Sequence, residues 1–364
     1  MAESLVDNRS ATRNHGIDLL RNLSMFMVVI LHVLGLGGLL IATKGQGIRY
    51  ELLKVIHIGS MCAVNCYGLI FGYVGYGSKW KISSIITLWL QVFLYSVGIG
   101  LLFCVLKPGS VGLKDLVKFS MPVLFQRYWY FTAYFALFFT IPLLNTAIQN
   151  IPRRLFEVSF GVLLFLLSVC QQTVIVNNPF GTNSGYSYLW LIVLYCIGGY
   201  LAKYQIKPQK QLIPVIIYAG CVSICWIVQF FMNRLGMSVP ERLEGYNSPF
   251  VLGMGMALLV LFANAKVPKW LVKLSAIFAP VSFGVYLLHL HPCVHDHILQ
   301  DAFAPLANQP AWILMPLVFV ITLGIYILCS AIDYIRLRLF RLIRIKAMLI
   351  KIDNKIFPND GGSQ

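Results

Sequence analysis

The sequence predicts an all-α fold: a polytopic membrane helical bundle of about ten transmembrane helices, with both termini cytoplasmic. Three observations carry this. Hydrophobic residues make up 58% of the 364 residues and charged residues only 12%, where an ordinary soluble domain is about one quarter charged. The apolar residues come in long runs separated by short polar segments. The basic residues concentrate on alternate segments.

A helix needs about 20 mostly apolar residues to cross a bilayer. The stretches that meet or approach this are Ile17–Leu40, Val55–Tyr76, Ile82–Leu106, Tyr128–Ile148, Leu155–Val176, Tyr188–Ala202, Leu212–Met232, Pro249–Ala265, Leu274–Leu290 and Trp312–Ile332. The sixth, eighth and ninth are short. Each reads as a span with a further turn at its ends or as a partly re-entrant segment.

Alternating these spans from a cytoplasmic N-terminus tests the positive-inside rule. The inner side receives Arg9, Arg13 and Arg21, the Lys79/Lys81 pair, the Arg153/Arg154 pair, and the lysine trios 203/207/210 and 266/269/273. The tail adds Arg336, Arg338, Arg341, Arg344, Lys346, Lys351 and Lys355. Only nine of the 29 Lys and Arg residues fall outside. This divides the chain into a cytoplasmic segment 1–16, a membrane domain 17–333 and a basic cytoplasmic tail 334–364. The net charge of +16 is therefore topological, and a nucleic-acid partner is not expected. The tail reads as a juxtamembrane segment drawn to anionic membrane lipid, or as a docking tail for a partner. No cleavable signal peptide is expected, since the first apolar run is too long for a signal h-region. The nine cysteines contain no C-x-x-C, and all but Cys293 lie in apolar spans, where a cysteine packs as a small hydrophobe.

The outer loops are polar. The loop 107–127 is long, 177–187 is uncharged and rich in Asn, Gly and Tyr, and 233–248 mixes Arg, Glu, Asn and Tyr. Amide, hydroxyl and aromatic groups of this kind suit a polyhydroxylated ligand and suit plain solvated loops equally. The end of the ninth span and the last loop bring His289, His291, His295 and His297 near Asp296 and Asp301. Zinc accepts such a composition, but no motif spacing supports a site, and no metal is expected.

The first span carries the chemistry. Asp18, Arg21 and His32 lie within an otherwise apolar stretch, and an ionisable residue at membrane depth marks a functional site by default. Arg21 and His32 are eleven residues apart, close to three turns, and Asp18 precedes Arg21 by one turn, so all three share a helix face. A neutral imidazole is a capable general base; a histidine in a span also serves as a plain helix–helix hydrogen-bonding residue. Arg21 and Asp18 near the inner end read either as an interfacial anchor with its i, i+3 partner or as a site for an anionic cofactor. Lys79 and Lys81 are positive-inside charges or contacts for cofactor phosphates. Ser282, Tyr286 and His289 share a face of the ninth span. Trp129, Tyr130 and Tyr134 read as an aromatic wall for a sugar or acyl chain, or as interfacial belt residues.

In this order the motifs resemble the acyltransferase family 3 membrane proteins, which include bacterial O-acetyltransferases of surface polysaccharides. The first span has the D-x-x-R of Asp18 and Arg21 followed by His32 at the R-x10-H spacing. Val64-Asn65 through Phe71-Gly72-Tyr73, Trp129-Tyr130 through Pro142 and Asn145, Tyr246-Asn247-Ser248-Pro249, and Ser282-Phe283 through Tyr286 and His289 are similar to later family motifs. The resemblance runs from about Gly16 to Asp333. It implies a membrane-embedded O-acyltransferase of the bacterial inner membrane. Such an enzyme moves an acyl group, usually acetyl, from cytoplasmic acyl-CoA to a hydroxyl of a cell-surface or lipid-linked glycan. It implies His32 as the catalytic residue and Arg21 as essential or cofactor-linked; beside these, Asp18 is a catalytic candidate from the shared stripe, Arg21, Lys79 and Lys81 are the candidate acyl-CoA contacts, and Trp129, Tyr130, Tyr134, Tyr286 and His289 the candidate substrate contacts. Two positions depart from the family pattern: Phe71 stands where a serine is usual, and Lys79-Trp80-Lys81 replaces a basic R-x-x-R element. The two-domain form with a secreted hydrolase-like module is not expected. The rival reading is a transporter or flippase for a lipid-linked sugar or small polar solute, with Asp18, Arg21 and His32 as a relay. Inverted repeats would favour it, but the second half holds no counterpart of that stripe.

Overall fold

Apolar runs this long bury their backbone polar groups only by closing hydrogen bonds within the segment, so helices are the solution a bilayer allows. The computed structural model describes residues 13–173, 180–237 and 241–356, and these contain helices and no strand. Expectations for residues 1–12, for the fifth apolar stretch beyond 173, for 177–179 of the uncharged loop, for 238–240 and for the tail from 357 lie outside the described residues.

In chain order the first half comprises α1 (His15–Leu34), α2 (Leu39–Ala42), α3 (Ile48–Ser60), α4 (Ala63–Gly75), α5 (Ile82–Leu106), α6 (Leu113–Ser120), α7 (Trp129–Asn150), α8 (Arg153–Leu164) and α9 (Cys170–Thr173). The second half comprises α10 (Tyr188–Lys203), α11 (Leu212–Arg234), α12 (Pro249–Ala263), α13 (Lys269–Phe278), α14 (Ser282–His289), α15 (Pro292–Val294), α16 (Ala311–Leu342) and α17 (Ile345–Ile356).

Among the described residues each of the ten apolar stretches is mainly helical. Six segments among the described residues are long and apolar enough to cross a membrane: α1, α3 with α4, α5, α7, α11 and α16. This is a multi-pass membrane protein. The ninth stretch, expected as one span, is two helices bent by 45°. The break falls at Ala279–Val281, where Pro280 has no N–H to give to the preceding turn. α10 and α12 have 16 and 15 residues, which at 1.5 Å per residue falls short of a hydrocarbon core of about 30 Å. α8 and α9 are joined through a π-helical turn at Phe165–Val169. The first span ends at Leu34 rather than Leu40, because Gly35, Gly37 and the left-handed Gly38 unwind it. The tenth runs on past Ile332 to Leu342.

The centre of the bundle is set by small residues. Gly68 and Gly72 on α4 lie against α10, where a Cβ on Gly72 would fall 2.0 Å from the carbonyl oxygen of Tyr195. Gly198 makes the reciprocal approach, 2.1 Å from the carbonyl of Leu69. Lipid tails are as apolar as leucine, so helix association inside a bilayer rests on this kind of close backbone packing. Asn65 on α4 is fully buried and satisfied: it donates to the carbonyl of Tyr246 (2.7 Å) and accepts from Trp190 Nε1 (3.1 Å). This polar knot ties the 245–248 loop to α4 and α10. α1 packs against α4, α12, α14 and α16, which places its polar stripe inside protein.

Candidate active site

Asn14 starts α1: its Oδ1 accepts from the N–H groups of Gly16 and Ile17 (3.0 and 3.2 Å), the usual remedy for orphan donors at a helix start. One turn further Asp18 is buried and holds two guanidinium groups, Arg13 Nε at 2.5 Å and Arg21 Nη1 at 3.1 Å. Asp18 therefore orients Arg21. It lines neither of the cavities described below, and 14 residues of helix put it about 21 Å from His32 along the axis.

Arg21 lines a cavity of about 390 Å³ together with Lys79, Lys81, Phe71 and Tyr134. Its floor includes Ala279, Ser282 and Phe283, from the break between α13 and α14. The three cations expected to hold a cofactor thus share one chamber, at the end of the bundle where α1 and α5 begin. Phe71, the residue in the serine position, faces Tyr134 with ring centroids 4.2 Å apart and makes the wall apolar and thick there.

His32 lines a second, smaller cavity of about 50 Å³, with Trp129, Tyr286, Tyr246 and Met25. Tyr67, Tyr130 and Phe283 line both cavities, so the two chambers adjoin across those three rings. Tyr67 is held by a hydrogen bond to the carbonyl of Arg21 (2.9 Å). The Tyr130 hydroxyl is buried without a partner. Trp129 starts α7, and Tyr246 stacks on it at 5.9 Å and 15°. Tyr246 is also anchored through its N–H to the carbonyl of Ser184 (2.9 Å).

His289 sits behind His32. Its Nδ1 faces the carbonyl oxygen of Val285, which can only accept, so in the neutral ring Nδ1 carries the proton. Its Nε2 is then an acceptor, and His32 Nδ1 donates to it at 2.9 Å. The same logic leaves the lone pair of His32 on Nε2. A backbone carbonyl thus fixes the tautomer of one imidazole, and that imidazole fixes the other. A residue oriented in this way is equipped to accept a proton.

The expected residues therefore divide. Arg21, Lys79, Lys81 and Tyr134 belong to the large chamber, Trp129, Tyr286 and His32 to the small one, and Tyr130 to the partition. His289 acts on His32 from behind. Tyr67, Phe283 and Tyr246 were not among the residues singled out for the site. Tyr67 and Tyr246 stand inside family-like motifs, but nothing in their spacing says that they face His32. The four histidines between 289 and 297 do not converge: His289 Nδ1 meets the carbonyl of Val285, His291 Nε2 that of Ser96, and His297 meets Lys107. Among the described residues no three His, Cys, Asp or Glu side chains are placed to hold a metal ion.

Fold and site together define a helical, multi-pass membrane protein with a basic chamber adjoining a smaller one, which is lined by an imidazole that a second imidazole orients from behind. The chain belongs to acyltransferase family 3: the family model for this acyltransferase domain matches residues 14–332. No curated protein and no solved structure matches it.

Proposed function

We propose that this membrane acyltransferase moves an acyl group, acetyl in the simplest case, from acyl-CoA to a hydroxyl of a cell-surface or lipid-linked glycan at the bacterial inner membrane. The observation that carries the reading is the His32–His289–Val285 chain, which leaves the Nε2 lone pair free on a residue lining a chamber that adjoins a cationic one. Arg21, Lys79 and Lys81 suit the phosphates of coenzyme A, and a guanidinium fork is the better phosphate ligand of the two side-chain types. Eleven residues of α1 separate Arg21 from His32, about 16 Å at 1.5 Å per residue, a separation suited to an extended pantetheine arm. The thioester then reaches the partition at Tyr67, Tyr130 and Phe283.

His32 Nε2 takes the proton of the acceptor hydroxyl as that oxygen attacks the thioester carbonyl. The C–O bond forms, the C–S bond breaks, and the coenzyme thiolate leaves toward the basic chamber, taking up the proton. The same nitrogen can carry the acyl group in two half-reactions. No metal is needed, because base and cations are already supplied. Trp129 and Tyr286 give the sugar apolar faces, and Tyr134 serves the donor instead.

The test is transfer of radiolabelled acetyl from acetyl-CoA into host glycan by purified protein. His32→Ala is expected to lose about 10²–10⁴-fold in rate while inserting and melting like the parent. Full activity in that variant refutes the mechanism, and movement of solute without ester formation in the parent supports a transporter instead.

A further inference from the structure

The cytoplasmic-tail expectation leaves α17 without a task, and its geometry supplies one. α5 begins at Ile82 after Lys81, whose side chain makes no cap hydrogen bond. The N–H of Ser83 is instead taken by Asp353 Oδ1 at 2.9 Å, from α17, 270 residues away. Asp353 and Leu349 are the two buried residues of α17, one turn apart and both turned toward α5. Asp353 thus caps α5 from another helix and places a carboxylate at its positive end. The residues it steadies matter: Lys81, Ser84 and Leu88 line the large chamber.

The remaining surface of α17 is amphipathic. Met348, Ile352 and Ile356 recur every four residues on one stripe, and they are 61%, 39% and 50% exposed. Lys351 and Lys355 flank that stripe. The helix also lies at bilayer-interface level. α16 has 32 residues, about 48 Å, where about 20 residues cross the hydrocarbon core. Its last turns therefore emerge, the chain reverses at Arg344 with a positive φ of 58°, and α17 returns to the first turn of α5. An exposed apolar stripe edged by lysines at that level suits an interfacial helix with its lysine heads among anionic headgroups.

We infer that α17 is an interfacial clamp: anionic phospholipid in the adjoining leaflet seats its Met348–Ile352–Ile356 stripe and lysine edge, and Asp353 passes that seating to the mouth of the basic chamber. The link to acyl donor binding rests on the function proposed above; the lipid seating does not. A peptide of a partner protein is the competing occupant.

The experiment uses the full chain in nanodiscs of phosphatidylcholine alone or mixed with phosphatidylglycerol, followed by amide hydrogen exchange. Phosphatidylglycerol is expected to slow exchange over residues 348–356 by about tenfold. Raised ionic strength should weaken the effect. Lys351→Gln with Lys355→Gln should abolish it without altering exchange in phosphatidylcholine. Asp353→Asn should speed exchange in both α17 and the first turn of α5, showing that the two are coupled. With acetyl-CoA as donor, phosphatidylglycerol should lower the donor KM in the parent and leave the double lysine variant unchanged. Exchange that ignores lipid charge, or an Asp353→Asn effect confined to α17, overturns the clamp. Protection restored only by added soluble protein also overturns it, in favour of the peptide. Absence of acyl transfer with the exchange pattern intact overturns the proposed function and leaves the lipid seating standing.

Discussion

Replacing His289 tests the orientation of His32 more sharply than replacing His32 itself. His289→Phe keeps a ring of similar size but removes the acceptor 2.9 Å from His32 Nδ1. That N–H is then left without a partner inside the protein, which costs about 1–3 kcal/mol. The cheapest escape for the imidazole is to move its proton to Nε2, which removes the base. Either route predicts a fall in kcat of about 10²-fold with the donor KM unchanged, because the residue lies outside the basic chamber. His289→Gln provides the control. A glutamine carbonyl oxygen can reach the place of Nε2 and accept the same hydrogen bond, so activity should return to within about tenfold of the parent. The assay is initial rate of radiolabelled acetyl transfer over a range of acetyl-CoA concentrations. Equal rates for the Phe and Gln variants, or a loss expressed only in KM, refute the tautomer argument.

Three further outcomes follow from other parts of the molecule. Gly72→Ala should lower the detergent melting temperature by roughly 5 °C, since its Cβ would fall 2.0 Å from the Tyr195 carbonyl and overpacking costs about 1–3 kcal/mol; Gly98→Ala, with open space around it, should melt like the parent. Phe71→Ser removes a ring that walls the large chamber, and competition between butyryl-CoA and acetyl-CoA should shift toward butyryl by about tenfold. Burial raises the Glu244 carboxyl, but the hydrogen bond of His57 and the charge of Lys54 outweigh this and hold it at about 2. Its folded value lies below its unfolded one, so its stabilisation is complete above about pH 4.3 and fades as pH falls toward about 2. Glu244→Gln should therefore flatten the acid side of a melting-temperature profile below about pH 5.

What could be read in advance depended on locality. α1 was legible because its polar residues repeat along one helix: spacing alone put Arg21 and His32 on one face, and both line chambers. Lys79 and Lys81 follow α4 directly, so their meeting with Arg21 needed only the packing of α1 on α4. The pairing of His32 with His289 joins residues 257 positions apart. Each histidine was placed on its own stripe, but no periodicity states that two stripes face each other. Pro280 was a local signal of the break that the continuous apolar run obscured. Arg336 was counted as tail charge, whereas it is buried against Asp333, which also accepts from Gln91 and Tyr95. Only the absent Cβ of Gly284, beside Asp333, makes room for that cluster, and a glycine in an apolar run does not announce its neighbour.

The three rings shared by the chambers also bear on waste. Under the proposed function, a thioester held beside Arg21 would be open to hydrolysis by any water that reached the imidazole. Tyr67, Tyr130 and Phe283 line both compartments, so in the proposed reaction the carbonyl and the base would meet beside three aromatic rings. Thrift with the donor would then rest on how well those three rings keep water out.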